Sequence, residues 1–211
     1  MKFSAAAVAL LASTVAAAPL EVRATGTTIN EFDNGACRPY ILFHARGTSQ
    51  AGNVGQDPGP QLIDAVKASL GAANVAGQGV PYSASLAGNF QTGGAPASEA
   101  RAFAAQINAA ATKCPNAKIF VAGYSQGAAL VHRAVEQLST AVKAKVAAAV
   151  TFGDTQKKQD GGRIPNFDTA KTLIICRTGD KVCEGTLTIT SAHQDYSPLA
   201  PQGAAFMVSK A

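Results

Sequence analysis

Residues 118–130 read KIFVAGYSQGAAL and predict a strand, a sharp turn and a helix in succession. Residues 118–122 form an apolar run typical of a buried strand, and the Ala-rich stretch that begins at Gln126 predicts a helix. Between them, Gly123-Tyr124-Ser125-Gln126-Gly127 matches the pattern G-x-S-x-G. Between a strand and a helix, the two glycines permit a sharp turn that lifts the serine hydroxyl above the sheet edge. We therefore predict that Ser125 is a nucleophile.

Similar short apolar runs recur along the chain and predict further strands. The five predicted strands cover residues 40–43, 78–82, 118–122, 146–152 and 172–176, of which 78–82 has the weakest pattern. Amphipathic patterns between them predict helices at residues 60–70, 98–112 and 126–138. Strands without polar alternation, separated by such helices, are typical of a parallel sheet covered on both faces. We therefore predict a three-layer α/β/α sandwich with a central, mostly parallel five-stranded sheet.

The N-terminus has the pattern of an export signal. Met1-Lys2 is followed by a small, apolar run that ends in Ala16-Ala17-Ala18, which suits a signal peptidase. The run is shorter than the roughly 20 apolar residues that span a bilayer. We expect a signal peptide at residues 1–18, a propeptide or flexible segment at 19–30, and a single domain at 31–211. The mature protein would be extracellular, without an integral membrane segment.

Charge and cysteine content limit the classes of partner. The formal net charge is +5, but Lys and Arg are scattered and no run exceeds Lys157-Lys158, so we expect no nucleic acid partner. The four cysteines would enter an oxidising compartment, where two disulfides are expected. Of the three possible pairings, the one that joins Cys176 to Cys183 closes the shortest loop and leaves Cys37 for Cys114. No zinc-ligand spacing is present, and we expect neither a metal nor a cofactor.

A serine nucleophile needs a base, and the chain offers three histidines. His132 follows Ser125 by seven residues on the same predicted helix, about 10 Å along its axis, and cannot reach the hydroxyl. His44 precedes the serine, against the chain order Ser, acid, His of α/β-hydrolases. His193 follows it in a polar loop near the C-terminus. We therefore predict His193 as the base.

The acid that orients this base has several candidates in the sequence. Placement favours Asp180, which follows the predicted strand 172–176 and lies inside the loop that a Cys176–Cys183 bridge would close. A solvated turn aspartate remains an alternative, because Gly-Asp is common in turns. The candidates between Ser125 and His193 include Asp154, Asp160, Asp168, Asp180 and Glu184.

An oxyanion formed during acyl transfer needs at least two hydrogen-bond donors. The residue after the nucleophile supplies one through its backbone N–H, and Gln126 occupies that position. The loop after the first strand should supply the second, and Thr48 is the candidate there. From the local sequence alone, an ordinary turn explains Arg46-Gly47-Thr48 equally well.

Taken jointly, these segments resemble fungal cutinases from about residue 37 to residue 198. The resemblance rests on Arg46-Gly47-Thr48, on residues 123–128, on Gly162-Arg163-Ile164-Pro165-Asn166, on residues 176–183 and on His193. It implies a lidless α/β-hydrolase with Ser125, Asp180 and His193 as the triad. It also implies disulfides Cys37–Cys114 and Cys176–Cys183, and an oxyanion hole of Thr48 and Gln126 in which Asn89 steadies the Thr48 hydroxyl. The substrate-binding residues that it implies are Leu86, Tyr124, Val182, Leu187, Ile189 and Gln194.

The function implied by the resemblance is that of a secreted, monomeric serine esterase. Its substrates would be cutin-like aliphatic polyesters or lipid-like esters at an interface, and soluble short-chain esters. An acetylxylan esterase or a generalist carboxylesterase would use the same residues, and a non-catalytic surface binder is the alternative outside enzymes. The chain has Thr48 where the family commonly has Ser, which keeps the hydroxyl. It has Gln194 where an apolar residue is usual, which argues against a strong preference for long acyl chains.

Overall fold

The computed structural model describes residues 24–211, so the predicted signal peptide and residues 19–23 lie outside the described part. The rest of the predicted flexible segment lies against the domain. Thr27 accepts a hydrogen bond through its carbonyl from the N–H of Asn53 at 2.9 Å. Asn30 forms an isolated antiparallel bridge with Gln78. The boundaries of the signal peptide and of the propeptide stay predictions.

Five parallel strands form the central sheet, in the order β2-β1-β3-β4-β5. Every neighbouring pair is parallel. Strands of this kind must be covered on both faces, which explains the nearly continuous burial of four of them, while the edge strand at residues 172–175 is only partly buried. The predicted α/β sandwich is thereby confirmed, with a wholly parallel sheet. The strands are β1 Tyr40–Ala45, β2 Val75–Gly79, β3 Lys118–Tyr124, β4 Val146–Phe152 and β5 Thr172–Ile175.

Helices cover the two faces of the sheet and bury separate apolar cores. Helices α2 and α6 pack on one face, where Ile63 and Met207 are fully buried. Helices α3 and α4 cover the other face through residues such as Phe103 and Leu130. The helices are α1 Glu31–Asn34, α2 Gly59–Leu70, α3 Ala97–Lys113, α4 Gln126–Glu136, α5 Thr140–Lys145 and α6 Ala200–Val208.

The prediction for the edge strand was wrong in position. We predicted residues 78–82, and the structure has β2 three residues earlier, at Val75–Gly79. Two glycines weaken its apolar pattern. Gly77 leaves room for the N-terminal segment, and Gly79 leaves room for a neighbouring loop. A Cβ on Gly77 would lie 2.6 Å from Ile29, and one on Gly79 would lie 2.0 Å from Asn53. The predicted helix 126–138 also ends earlier, at Glu136.

The carboxyl ends of the parallel strands meet at one edge of the sheet, where α/β proteins place their sites. The loops after β1, β3, β4 and β5 all start there. A disulfide joins Cys176 to Cys183 and closes the loop after β5, while a second joins Cys37 to Cys114 away from this edge. Within residues 24–211, the helices are all too short or too polar to cross a bilayer.

Candidate active site

Ser125 lies on a strained turn between β3 and α4. Its φ of 56° and ψ of −120° are unusual for a residue with a side chain and cost about 1–3 kcal/mol. The flanking glycines make the turn possible, because the surrounding backbone leaves no room for a side chain. A Cβ on Gly123 would lie 2.2 Å from the carbonyl oxygen of Gly127, and one on Gly127 would lie 2.1 Å from that of Ala45. The tightly packed turn therefore holds the serine hydroxyl above the sheet edge, despite the cost of its backbone conformation.

The structure brings Ser125, His193 and Asp180 into one hydrogen-bonded row. His193 Nε2 lies 3.0 Å from Ser125 Oγ, and its Nδ1 lies 2.9 Å from Asp180 Oδ2. The three residues are only 8%, 3% and 1% exposed, respectively. A hydroxyl bonded to an imidazole that is itself bonded to a carboxylate is the arrangement that activates serine as a nucleophile.

Three hydrogen bonds fix the carboxylate of Asp180. Besides His193, the N–H of Val182 donates to its Oδ1 at 3.0 Å, and the phenol of Tyr196 donates to its Oδ2 at 2.6 Å. Burial, together with the hydrogen bond to Asp180, raises the pKa of Tyr196 above its ordinary value. The phenol therefore keeps its proton and remains a donor. No local pattern in the sequence marks Tyr196, because its partner lies 16 residues away.

The ring of His193 is held by packing as well as by hydrogen bonds. The ring of Tyr124 stacks on it with a centroid separation of 5.3 Å, and the Tyr124 hydroxyl donates to the His193 carbonyl at 2.5 Å. On another side lies Gly153, whose φ is 51°. A Cβ there would lie 2.9 Å from His193 Cε1. A side chain at residue 153 would therefore displace the imidazole.

Two hydrogen-bond donors lie close to Ser125, one from Thr48, which lines the same crevice, and one from Gln126, the next residue in the chain. Thr48 Oγ1 accepts a hydrogen bond from Asn89 Nδ2 at 2.9 Å, which leaves the hydroxyl hydrogen of Thr48 free to donate. Gln126 is the first residue of α4, so its N–H has no intrahelical acceptor and carries the partial positive charge of the helix end. The side chain of Gln126 donates to Ser85 O at 2.7 Å and ties the turn before Asn89 to α4.

A crevice with a cavity volume of about 400 Å³ opens above Ser125. All six predicted substrate-binding residues line it, and Gln50, Phe90 and Thr155 line it as well. Phe90 was not predicted, although it is a lone aromatic residue in a stretch rich in Gly and polar residues. Val182 is buried in the crevice wall. The exposed apolar lip consists of Leu86 (67% exposed), Phe90 (72%), Leu187 (46%) and Ile189 (55%).

The other acids considered from sequence have partners away from His193. Asp154 and Asp160 both bind His132. Asp168 accepts a hydrogen bond from the N–H of Ala170, and Glu184 pairs with Lys181. Of the five candidates, only Asp180 contacts the imidazole of His193 within the described structure.

The chain is similar to several known proteins. The family model described as Cutinase matches residues 36–211. The chain is 61% identical to cutinase CUT2 of Pyricularia oryzae over 213 aligned residues, which cover all of both chains. It superposes on a Trichoderma reesei cutinase solved with a phosphonate inhibitor with a TM-score of 0.79 and 37% identity, over 88% of this chain and 80% of that one.

A more distant likeness concerns the fold alone. The catalytic core of an acetylxylan esterase from Trichoderma reesei gives a TM-score of 0.63 at 22% identity, over 83% of this chain and 100% of that one. The family model, the sequence relative and the cutinase structure all point the same way, and the chain belongs to the cutinase family.

Proposed function

We propose that the protein is a secreted serine esterase that hydrolyses cutin-like aliphatic polyesters and soluble short-chain esters. Membership of the cutinase family makes it an ester hydrolase. The observation that carries the finer proposal is the hydrogen-bonded row Ser125–His193–Asp180 beneath a crevice with exposed apolar lips. The row supplies a nucleophile, and the lips suit a substrate that is itself apolar.

The acylation step begins at the 3.0 Å contact between Ser125 and His193. His193 Nε2 takes the hydroxyl proton as Ser125 Oγ attacks the ester carbonyl. Asp180 accepts the Nδ1–H of His193, which keeps the ring in the required tautomer and stabilises the imidazolium. The imidazolium then protonates the leaving alcohol, and an acyl group remains on Ser125.

The tetrahedral oxyanion would lie between the Thr48 hydroxyl and the N–H of Gln126. Both donors are fixed before the substrate binds, Thr48 by Asn89 and Gln126 by the start of α4. Fixed donors stabilise the developing charge without reorganisation, and removal of one typically costs 10²- to 10³-fold in kcat.

Deacylation repeats these steps with water in place of serine. His193 removes a proton from water, the hydroxide attacks the acyl group, and the proton returns to Ser125 as the acid leaves. These steps use only protein groups and water.

The shape of the crevice supports a polymer or film as the substrate. Leu86, Phe90, Leu187 and Ile189 all line the crevice that contains Ser125, and all four side chains are exposed. Exposed apolar residues gathered around an opening mark a binding surface. Contact with an aliphatic chain would remove them from water and place an ester at the crevice.

The first test compares the purified protein with its Ser125→Ala variant. We expect kcat on a soluble short-chain ester to fall roughly 10⁶-fold, because the triad acts as a unit. Labelling by a serine-directed phosphonate should also be lost. Retention of most of the activity by the variant would refute the role of Ser125. A wild-type protein that neither turns over esters nor accepts the phosphonate would be a surface binder.

The second test addresses the substrate. Hydrolysis of cutin or a synthetic aliphatic polyester is compared with that of acetylated xylan and of a soluble short-chain ester. We expect activity on the polyester and on the soluble ester. Preferential release of acetate from xylan would show an acetylxylan esterase instead, and activity on the soluble ester alone would show a generalist carboxylesterase.

A further inference from the structure

A second, partly buried cluster of charged residues surrounds His132 of α4. The imidazole is fully buried, its Nε2 lies 2.9 Å from Asp154 Oδ2, and its Nδ1 lies 2.7 Å from Asp160 Oδ2. A neutral imidazole carries one N–H and can donate to only one carboxylate. An imidazolium donates to both. The geometry therefore matches a protonated His132.

The charges around His132 balance when it is protonated. Arg133 of the same helix also binds Asp160, so two cations face two carboxylates. Burial by itself would lower the pKa of His132, but the charges of Asp154 and Asp160 and their hydrogen bonds raise it to about 9. Two further charges lie nearby, Glu136, which is 3.5 Å from Arg133, and Arg101 of α3, which lines the same surface cleft as Arg133 and Glu136.

The cluster is connected to the crevice through the loop of residues 154–160. Asp154 accepts hydrogen bonds from Thr151 Oγ1 and from the N–H of Gln156, each at 2.7 Å, and this fixes the start of the loop. Thr155 lies between Asp154 and Gln156. Its hydroxyl is 3.4 Å from the carbonyl oxygen of Ser125, and its side chain lines the crevice. The position of this crevice wall thus depends on the two carboxylates that His132 binds.

We propose that His132 is a positioning residue whose imidazolium clamps the loop of residues 154–160 to α4 and so fixes Thr155 beside Ser125. Loss of the proton would break one of the two hydrogen bonds and leave a neutral ring between two carboxylates, which is a costly arrangement that the loop relieves by moving. The position of Thr155 would then change, and the efficiency of ester hydrolysis would fall. The catalytic part of this inference rests on the proposed esterase function.

The protonation state can be read directly in the wild-type protein. The full chain is labelled with ¹⁵N-histidine, the ring-nitrogen signals are followed by NMR from pH 5 to 10.5, and the His132→Gln variant serves to assign them. We expect His132 to show two protonated ring nitrogens at pH 7.5 and to titrate near pH 9. A neutral ring at pH 7.5 would overturn the proposal, and this readout does not require that the protein hydrolyse esters.

The effect on the site is read from the pH profile of kcat/KM on p-nitrophenyl butyrate at 25 °C, with spontaneous hydrolysis subtracted. The imidazolium is present below its pKa and absent above it, so kcat/KM should fall about 10-fold as the pH rises through about 9. In Asp154→Asn the fall should begin at least about one pH unit lower, because a carboxylate that favours the charged ring is gone.

Glu136→Gln is the matched control, since it removes a carboxylate from α4 that contacts Arg133 rather than His132. Its midpoint should equal that of the wild type. Circular dichroism at each pH verifies that the proteins remain folded. A purely structural His132 would alter thermal stability and leave these profiles unchanged, and coincident midpoints in Asp154→Asn and the wild type would overturn the proposal. Absence of activity in the wild type at pH 7.5 would instead refute the proposed function.

Discussion

His44 should make the folded protein sensitive to acid. This residue of β1 is fully buried, and neither of its ring nitrogens has a hydrogen-bond partner among residues 24–211. It packs tightly, since a Cβ on Gly59 would lie 2.6 Å from His44 Cδ2. A charged ring has no means of stabilisation there, and burial lowers the pKa of His44 to about 3.

The sign and size of the effect follow from proton linkage. In the unfolded chain, His44 should have the ordinary pKa of about 6.5. Between about pH 6.5 and 3 the unfolded chain therefore binds the extra proton and the folded protein does not. The free energy of unfolding falls by about 1.4 kcal/mol for each pH unit in this range. From pH 6.5 to 4.5 the loss is about 2.3 kcal/mol, since the unfolded imidazole is already half protonated at pH 6.5, and this is a large share of the 5–15 kcal/mol typical of a folded domain.

Urea unfolding of the wild type and of His44→Leu at pH 7.5, 6.5, 5.5 and 4.5 measures this term. Carboxylates titrate in both proteins, so their contribution cancels in the difference. Between pH 6.5 and 4.5, we expect the wild type to lose about 2.3 kcal/mol more of its free energy of unfolding than the variant. If the two proteins lose stability in parallel, His44 does not carry the acid sensitivity and the argument from its burial is refuted.

Three further predictions concern the active site and its lip. Tyr196→Phe removes a donor from Asp180, so kcat/KM on a soluble ester should fall about 10-fold, and an unchanged value would show that the phenol is dispensable. Thr48→Val removes the hydroxyl that we propose binds the oxyanion, so steady-state kinetics should show kcat lower by about 10²-fold or more, while Thr48→Ser should retain most of the wild-type kcat. Phe90→Ser should weaken adsorption to a polyester film about tenfold, because the ring is 72% exposed and available to an apolar surface. Hydrolysis of a soluble ester should not change. Loss of both adsorption and hydrolysis would mean that Phe90 supports the site itself.

The sequence was sufficient for the central strands and for the strand–turn–helix around Ser125, because both have local patterns. Uninterrupted apolar runs identified β1, β3 and β4. Gly123 is explained by a contact within its own turn, whereas Gly127 is explained by the backbone of Ala45 in β1. The edge strand β2 and helix α6 were harder to predict from the sequence. Gly77 and Gly79 weaken the pattern of β2, and α6 is short, with Pro201 near its start and Gly203 pressed against Phe152.

Residues that act through distant partners could not be found in this way. Tyr196 is 16 residues from Asp180, and the side chain of Gln126 binds Ser85, 41 residues away. From the sequence, His132 could only be excluded as the base that acts on Ser125. Its partners lie 22 and 28 residues further along the chain, and no spacing rule links a helical histidine to acids in a later loop.

Several lysine side chains bind main-chain carbonyl groups at the end of the sheet opposite the active site. Strand β3 begins at Lys118, and β4 and β5 directly follow Lys145 and Lys171. Each of these ammonium groups donates to a main-chain carbonyl at or near the end of a helix, namely that of Lys210 after α6, Pro115 after α3 and Ala144 in α5. Helices that connect parallel strands run back along the sheet, so their C-termini gather at this edge with partial negative charge.

The two ends of the sheet therefore favour charges of opposite sign, and both preferences arise from the parallel arrangement of the strands. Because every strand points the same way, the C-termini of the helices lie at the end of the sheet opposite the active site, where cations stabilise them. Lys143 does the same at the last residue of α4, through a 2.9 Å hydrogen bond to Glu136 O. At the other end of α4, the N-terminal N–H groups remain beside Ser125, where negative charge would develop. Four of the 18 basic residues of the chain, Lys118, Lys143, Lys145 and Lys171, thus serve the parallel architecture itself.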